Sequence, residues 1–226
     1  MTPERVRRIR EALDKRQPDL TIITDNVHKP HNISAIIRSC DAFAVPELNV
    51  VWHGERYRVY RGRTMGSHKF VTVNTHDDVV KGINQFKEKG YQVVAAHLSD
   101  KAIPHYEVDF TKPTAILMGA EKYGVSEAAS NAVDQHITIP MEGMVESLNV
   151  SVAAALILSE ACRQRQIAGL IGTRRLDDVT YQKYFFEWCY PDLAKKCQSK
   201  NLPYPEIDDN GDFIDPAAFS DLFNSR

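Results

Sequence analysis

Residues 136–166, HITIPMEGMVESLNVSVAAALILSEACRQRQ, bring three kinds of backbone together, and no other stretch limits the fold so tightly. Residues 136–140 are largely apolar and end in Pro140, which has no N–H to extend a sheet ladder, so they read as a buried strand. Residues 141–146 contain Gly143 and form a loop. Ser147, Asn149 and Ser151 then stand at the mouth of an apolar run, where side-chain oxygens bond the unpaired amides of a helix's first turn. That helix, over about 148–165, is apolar on nearly every face until Arg163-Gln164-Arg165, so most of it is expected to be buried. Such a unit is either an ordinary capped βα connection or a ligand cradle, because free N–H groups at a helix start hold polar groups.

The rest of the chain alternates in the same way. Val6, Ile9 and Leu13 give residues 4–16 a thin apolar seam at helical spacing, and Pro18 ends it. Strands are expected at 20–27, 48–52, 70–73, 91–98 and 115–119, and helices at 77–89, closed by Gly90, and 125–133. A further helix runs through Ile33, Ile36 and Ile37 to Phe43, with Asn32 or Ser34 as its cap. The unbroken apolar run Val93-Val94-Ala95-Ala96 suits a strand covered on both faces, and the βα alternation indicates an α/β domain with a parallel sheet. From Asp177 the pattern changes to helical pieces at 177–188 and 191–199, followed by an Asn210-Gly211 turn.

With 226 residues, one core of about 150 residues plus appended helices is the natural size. No apolar run approaches a membrane span and MTPERVRRIR is no signal segment, so the cytoplasm is expected. Cys40, Cys162, Cys189 and Cys197 have no zinc spacing and are expected as reduced, mostly buried thiols. The net charge of −2 hides a segregation: residues 1–16 carry six cations against three anions, residues 54–69 five against one, and the tail from Glu206 is acidic. This is either a solvated surface or a face for a polyanion.

Among the candidate motifs, GAEKYG at 119–124 has half of a P-loop, but Val125-Ser126 stand where the lysine and hydroxyl should be, which removes the phosphate cation and the magnesium ligand. No strand is followed by GxGxxG, so the usual dinucleotide fingerprint is missing. Gly119 and Gly124 remain as close-approach and turn residues. Glu121 is either a helix-entry charge or a carboxylate facing a ligand. His28 and His31 flank Pro30 without a partner carboxylate, so no metal is expected. Arg38, after Ile36-Ile37 in a helix, either reaches solvent or points into a polar site.

The segments NISAIIR at 32–38, ILMGAEKYG at 116–124, and IPM at 139–141 leading to SLNVS at 147–151 closely resemble, in order and spacing, the three motifs of the SpoU branch of the SPOUT RNA 2′-O-ribose methyltransferases. The basic helix ending in RQPDL, VHKPHN at 27–32 and LPYP at 202–205 extend the resemblance to the family's tRNA-modifying members over essentially the whole chain. The resemblance implies a SPOUT domain at 20–166 with a C-terminal deep trefoil knot. It also implies a basic RNA-binding extension at 1–19 and a helical extension at 167–226. Strand counting alone gives an ordinary open doubly wound sheet. It further implies an obligate homodimer that uses S-adenosylmethionine to methylate the ribose 2′-hydroxyl of guanosine 18 in the D-loop of tRNA. Another tRNA or ribosomal nucleotide, or RNA binding without catalysis, are the competing readings.

Carried over by position, Ala96, Gly119, Ile139 and Leu148 line the cofactor pocket, and Arg38, Asn32, Glu121, Ser147 and Asn149 form the catalytic set. Either Arg38 loses its proton beside a cationic sulfonium, or it stays charged and orients a phosphate while another group takes the hydroxyl proton. Arg5, Arg8, Arg16, Arg163, Arg165 and Arg174, with Arg175 and the 54–69 excursion, are expected to contact RNA phosphates.

Overall fold

The computed structural model describes residues 1–52, 64, 66–120 and 123–217. Most of the 54–69 excursion, and Glu121, lie outside the described residues. The chain divides into two compact units, one of residues 17–171 and one of residues 1–16 with 172–226.

In the larger unit the described residues form seven strands in one sheet, ordered β3-β2-β1-β6-β4-β7-β5 with every pairing parallel. They are β1 (Leu20–Asp25), β2 (Glu47–Val51), β3 (Thr72–His76), β4 (Gln92–Ala96), β5 (Ile103–Pro104), β6 (Thr114–Gly119) and β7 (Gln135–Thr138). Alternate residues face opposite sides of a strand. Ile22, Ile116 and Met118 therefore pack with helices α2 (Pro30–Ala42) and α5 (Val150–Ile167), whereas Ile23, Ala115 and Leu117 pack with α3 (Val79–Glu88) and α4 (Glu127–Ala132). The central strands are covered on both faces, as their continuous apolar runs predict.

Three expectations differ from the structure. The helix α2 begins at Pro30 with Lys29 as its N-cap and no side-chain cap, so Asn32 and Ser34 lie inside it and are buried. Proline's fixed φ and missing N–H suit a first helical position, and this moves the cap three residues earlier than Asn32. β3 begins at Thr72 rather than residue 70, because Phe70 and Val71 donate backbone N–H bonds to Ser67 at the end of a short 3-10 turn. As an edge strand, β3 needs few apolar residues, and its TVNTH sequence gives little signal. The two-residue β5, at the other edge, gives none.

The far end of α5 is locked to the amino ends of the central strands by Arg165. Its side chain is fully buried; Nε donates to the Phe110 carbonyl at 2.7 Å, and one terminal nitrogen pairs with Asp19 Oδ1 at 2.6 Å. The other terminal nitrogen donates to the Lys112 carbonyl at 2.9 Å and to the Asp19 carbonyl at 3.3 Å. The Asp19 carbonyl also accepts the Thr114 N–H that opens β6.

In the smaller unit, α1 (Pro3–Asp14) buries the expected seam of Val6, Ile9 and Leu13. Helices α6 (Asp178–Cys189) and α7 (Pro191–Ser199) add Tyr181, Phe185, Phe186, Trp188 and Cys197 to the buried set. The acidic tail is partly structural: Asp209 pairs with Arg10 at 2.6 Å, and Phe213 stacks on Tyr190. All four cysteines are free, three buried and Cys162 half-buried. Among the described residues no helix is long and apolar enough to cross a membrane.

Removing one partner of a buried ion pair strands the other, at a cost of about 3–5 kcal/mol. Arg165→Ala is therefore expected to lower the unfolding free energy from urea titration by about that amount, with a lower midpoint, and an unchanged midpoint would contradict the locking role.

Candidate active site

Two adjoining cavities open at the carboxyl edge of the parallel sheet, where loops that leave the strands in different directions part and ligands of open α/β sheets commonly sit. The β4–β6–β7 cavity, about 310 Å³, is lined by Ala96 and His97 after β4, Met118 and Gly119 of β6, Ile137 to Ile139 of β7, and Ser147, Leu148 and Val150 at the start of α5. The β1–β6 cavity, about 500 Å³, is lined by Asn26, His28, Lys29 and Asn32 after β1 and by Tyr123 and Ser126 after β6. Ala120 and Gly124 belong to both walls.

That shared wall depends on Gly119. Ala120 and Gly124 exchange backbone hydrogen bonds of 2.9 and 2.7 Å, closing a tight loop after β6, and Gly124 takes φ +67°. A Cβ at position 119 would collide with the carbonyl carbon of Gly124 and the amide of Val125. Asp25, buried at the end of β1, anchors the next element, because Oδ2 accepts the Ser126 N–H at 2.8 Å and Oδ1 accepts the Asn26 amide at 2.8 Å.

Ala96, Gly119, Ile139 and Leu148, the four residues expected to hold a cofactor, all line the β4–β6–β7 cavity together with Ser147. Its volume lies within the range of small-molecule sites, and its walls combine apolar side chains with strand-end backbone groups. Asn149 caps α5: its Oδ1 accepts the Ser151 N–H at 2.9 Å, and its Nδ2 donates to Asn32 Oδ1 at 3.2 Å. Asn32 is only 2% exposed, and its own Nδ2 has no partner among the described residues. An unpaired buried amide costs about 1–3 kcal/mol, so a donor held this way at a cavity wall is poised for a ligand oxygen.

The structure does not bring Arg38 to either cavity. It lies exposed on α2, sharing a face with His31 and Ala42, and has no hydrogen-bond or ion-pair partner among the described residues. Of the two dispositions open from its sequence, the solvent-facing one is found.

Two of the expected phosphate contacts are corrected. Arg165 spends its guanidinium on Asp19 and three backbone carbonyls and reaches no surface. Arg16 is buried with its guanidinium 4.8 Å from the Trp188 ring centroid, a cation–π contact that keeps it from solvent. Arg5 and Arg8 are exposed on α1, Arg163 pairs with Glu160 at 2.8 Å, and Arg174 pairs with Asp178 while lying over Tyr181.

Sequence reasoning missed His97 and Glu146, which line the β4–β6–β7 cavity, and Tyr123 and Lys29, which line the other. Their signal was adjacency: each stands within three residues of an expected site residue, Ala96, Ser147, Glu121 or Asn32. His97 packs edge-on against His136 at 5.2 Å, and burial, reinforced by His136, holds its imidazolium below the usual histidine range. The Ser130 carbonyl can only accept, so His136 Nε2 donates to it at 3.0 Å, and Nδ1 lies 2.7 Å from the Ser99 hydroxyl. Among the described residues no cluster could hold a metal ion.

Known proteins share this arrangement. The sequence profile of the SpoU rRNA Methylase family matches residues 19–159, and that of the SpoU rRNA methylase C-terminal region matches residues 163–216. The tRNA (guanosine(18)-2′-O)-methyltransferase of Escherichia coli strain K12 is 49% identical over 214 residues, covering 94% of this chain and 93% of its own. The crystal structure of the TrmH/SpoU tRNA modifying enzyme of A. aeolicus superposes with a TM-score of 0.78 at 43% identity, covering 84% of this chain and 97% of its own. The SpoU methyltransferase AviRb of Streptomyces viridochromogenes, solved in complex with the cofactor AdoMet, gives a TM-score of 0.60 at 28% identity, covering 67% and 62%. With the motifs gathered along one sheet edge and both profiles matched in order, the chain belongs to the SpoU methylase family.

Proposed function

We propose that the chain transfers the methyl group of S-adenosylmethionine to the ribose 2′-hydroxyl of guanosine 18 in tRNA. The observation that carries this reading is the pair of cavities with a common wall, one suited to a donor and the other holding a buried, unpaired amide for a nucleoside oxygen. The near-half identity to enzymes named for that reaction supports the choice of substrate.

When bound, S-adenosylmethionine supplies a methyl on positively charged sulfur, open to in-line attack by an oxygen. Ala96, Gly119, Ile139 and Leu148 hold the donor in the β4–β6–β7 cavity, and Ser147 borders it. Asn149 fixes Asn32, whose Nδ2 donates to an oxygen of the entering nucleoside and so positions the ribose. A guanidinium stays protonated in proteins, so Arg38 acts as a fixed cation that orients a phosphate beside the ribose, and the hydroxyl proton leaves to a phosphate oxygen. Glu121 enters this set through its motif. Arg5, Arg8, Arg163 and Arg174 contact RNA phosphates, with residues 1–19 a basic RNA-binding extension and residues 167–226 a helical extension of a catalytic domain at 20–166.

A second copy of the chain completes the site. In support, Arg38 lines neither cavity of its own chain, and α5 exposes Val152 and Leu156 after a loop that exposes Met144 and Val145. An apolar row of that kind is the usual signature of an interface. A deep trefoil knot around residues 139–149 belongs to the same proposal. It is supported by β7 entering the sheet between β4 and β5, both already laid down, rather than at an edge.

The deciding experiment is transfer of labelled methyl to unmodified tRNA with mapping at nucleotide resolution. Label is expected on the ribose of guanosine 18, and label confined to ribosomal RNA fragments or another nucleotide would overturn the substrate assignment. Arg38→Ala is expected to cut turnover by about a hundredfold or more, the scale of losing one transition-state charge contact, while donor binding measured by calorimetry persists. Gly119→Ala is expected to abolish donor binding, because the added Cβ pushes the Ala120–Gly124 loop out of place; wild-type affinity would refute this. Leu156→Glu places a charge on the exposed row, and sedimentation is expected to show a shift from dimer to monomer.

A further inference from the structure

The wall of the β4–β6–β7 cavity carries two titratable side chains among the described residues, His97 and Glu146, set among apolar groups such as Met118, Ile137 and Leu148. Glu146 is exposed and has no ion-pair or hydrogen-bond partner among the described residues, so its carboxylate is uncommitted. His97 does not offset that charge near neutral pH, because burial and then His136 keep its ring neutral. The cavity wall therefore presents one net negative charge.

A methyl donor of the sulfonium class differs from its spent form in one methyl and one positive charge, while the adenosine and amino-acid portions are shared. Apolar walls and backbone groups bind those shared portions alike in both forms. A carboxylate beside the ligand distinguishes them, because it attracts the cation and leaves the neutral thioether unaffected. Resting on the assignment of this cavity to S-adenosylmethionine, we propose that Glu146 selects the charged methyl donor over the neutral product, so that transfer itself weakens the hold on what remains. Glu146 is a specificity-determining residue in this scheme. It takes no part in moving the methyl group, and its position directly before Ser147 places the charge where the loop of residues 139–149 meets the cavity.

The test is calorimetric titration of the intact protein, wild type, Glu146→Gln and Glu146→Asp, with S-adenosylmethionine and with S-adenosylhomocysteine at low and high salt. Glutamine keeps the shape and removes the charge, and at an exposed site it leaves the fold intact, which circular dichroism checks. Glu146→Gln is expected to weaken S-adenosylmethionine roughly fivefold at low salt, the upper end for an exposed ion pair, and to leave S-adenosylhomocysteine within about twofold. The difference is expected to shrink with added salt and to survive in Glu146→Asp. Equal weakening of both ligands, no change in either, or an aspartate variant indistinguishable from the glutamine variant would each overturn the proposal. A wild-type protein that binds neither nucleoside would instead overturn the proposed function, and this inference with it.

Discussion

The backbone bridge between Ala120 and Gly124 closes against β6 because position 119 has no side chain. Much of the site follows from that contact. The bridge forms the wall between the two cavities, and it sets the direction in which Tyr123 and Ser126 leave the sheet. Ser126 then accepts a bond from Ala129 and donates its N–H to Asp25, so the start of α4 and the end of β1 are fixed to the same point. A parallel sheet collects the carboxyl ends of all its strands on one edge, and a tight loop there can serve two pockets at once.

Two buried polar groups lie at opposite ends of this sheet and differ in how they are satisfied. Arg165, at the amino end, directs its donors at Asp19 and at backbone carbonyls, so every arm of its guanidinium is satisfied and it reads as structure. Asn32, at the carboxyl end, has its oxygen held by Asn149 and its amide left without an acceptor, so it reads as a site. Burial alone does not separate them. The completeness of the hydrogen bonding does, since a fold gains nothing from leaving a buried donor unpaired.

Periodicity exposes the elements whose burial is strongly patterned. The seam of α1, the apolar runs of β4 and β6 and the capped start of α5 are legible because solvent exclusion shapes their residues directly. The edge strands are less so, because β3 and β5 are covered less completely and carry polar residues or only two positions. Strand order is not legible at all, because the sequence of β7 does not record that it lies between β4 and β5. The site was visible through its motifs, which set Gly119, Leu148 and Asn149 along one edge, whereas His97 and Glu146 had only their adjacency to Ala96 and Ser147, and that both line one cavity depends on how loops distant in sequence meet. Charge was the least reliable guide. Arg16 and Arg165 share their residue type with Arg5 and Arg8, and only three-dimensional packing separates the buried pair from the exposed pair.

That distinction bears on how a chain with net charge −2 meets a polyanion. On α1 the seam occupies Val6, Ile9 and Leu13, which leaves Arg5 and Arg8 on the solvent side of the helix. Arg10 is spent on Asp209, and Arg16 on Trp188. The acidic tail thus neutralises a cation that faces its own unit and leaves the outward-facing Arg5 and Arg8 unpaired among the described residues. Net charge averages over both populations. A phosphate backbone meets only the exposed one, within a Debye length of about 8 Å at physiological salt. An overall negative balance is therefore compatible with a locally basic face, and the position of each arginine relative to the helix seam decides which of them takes part.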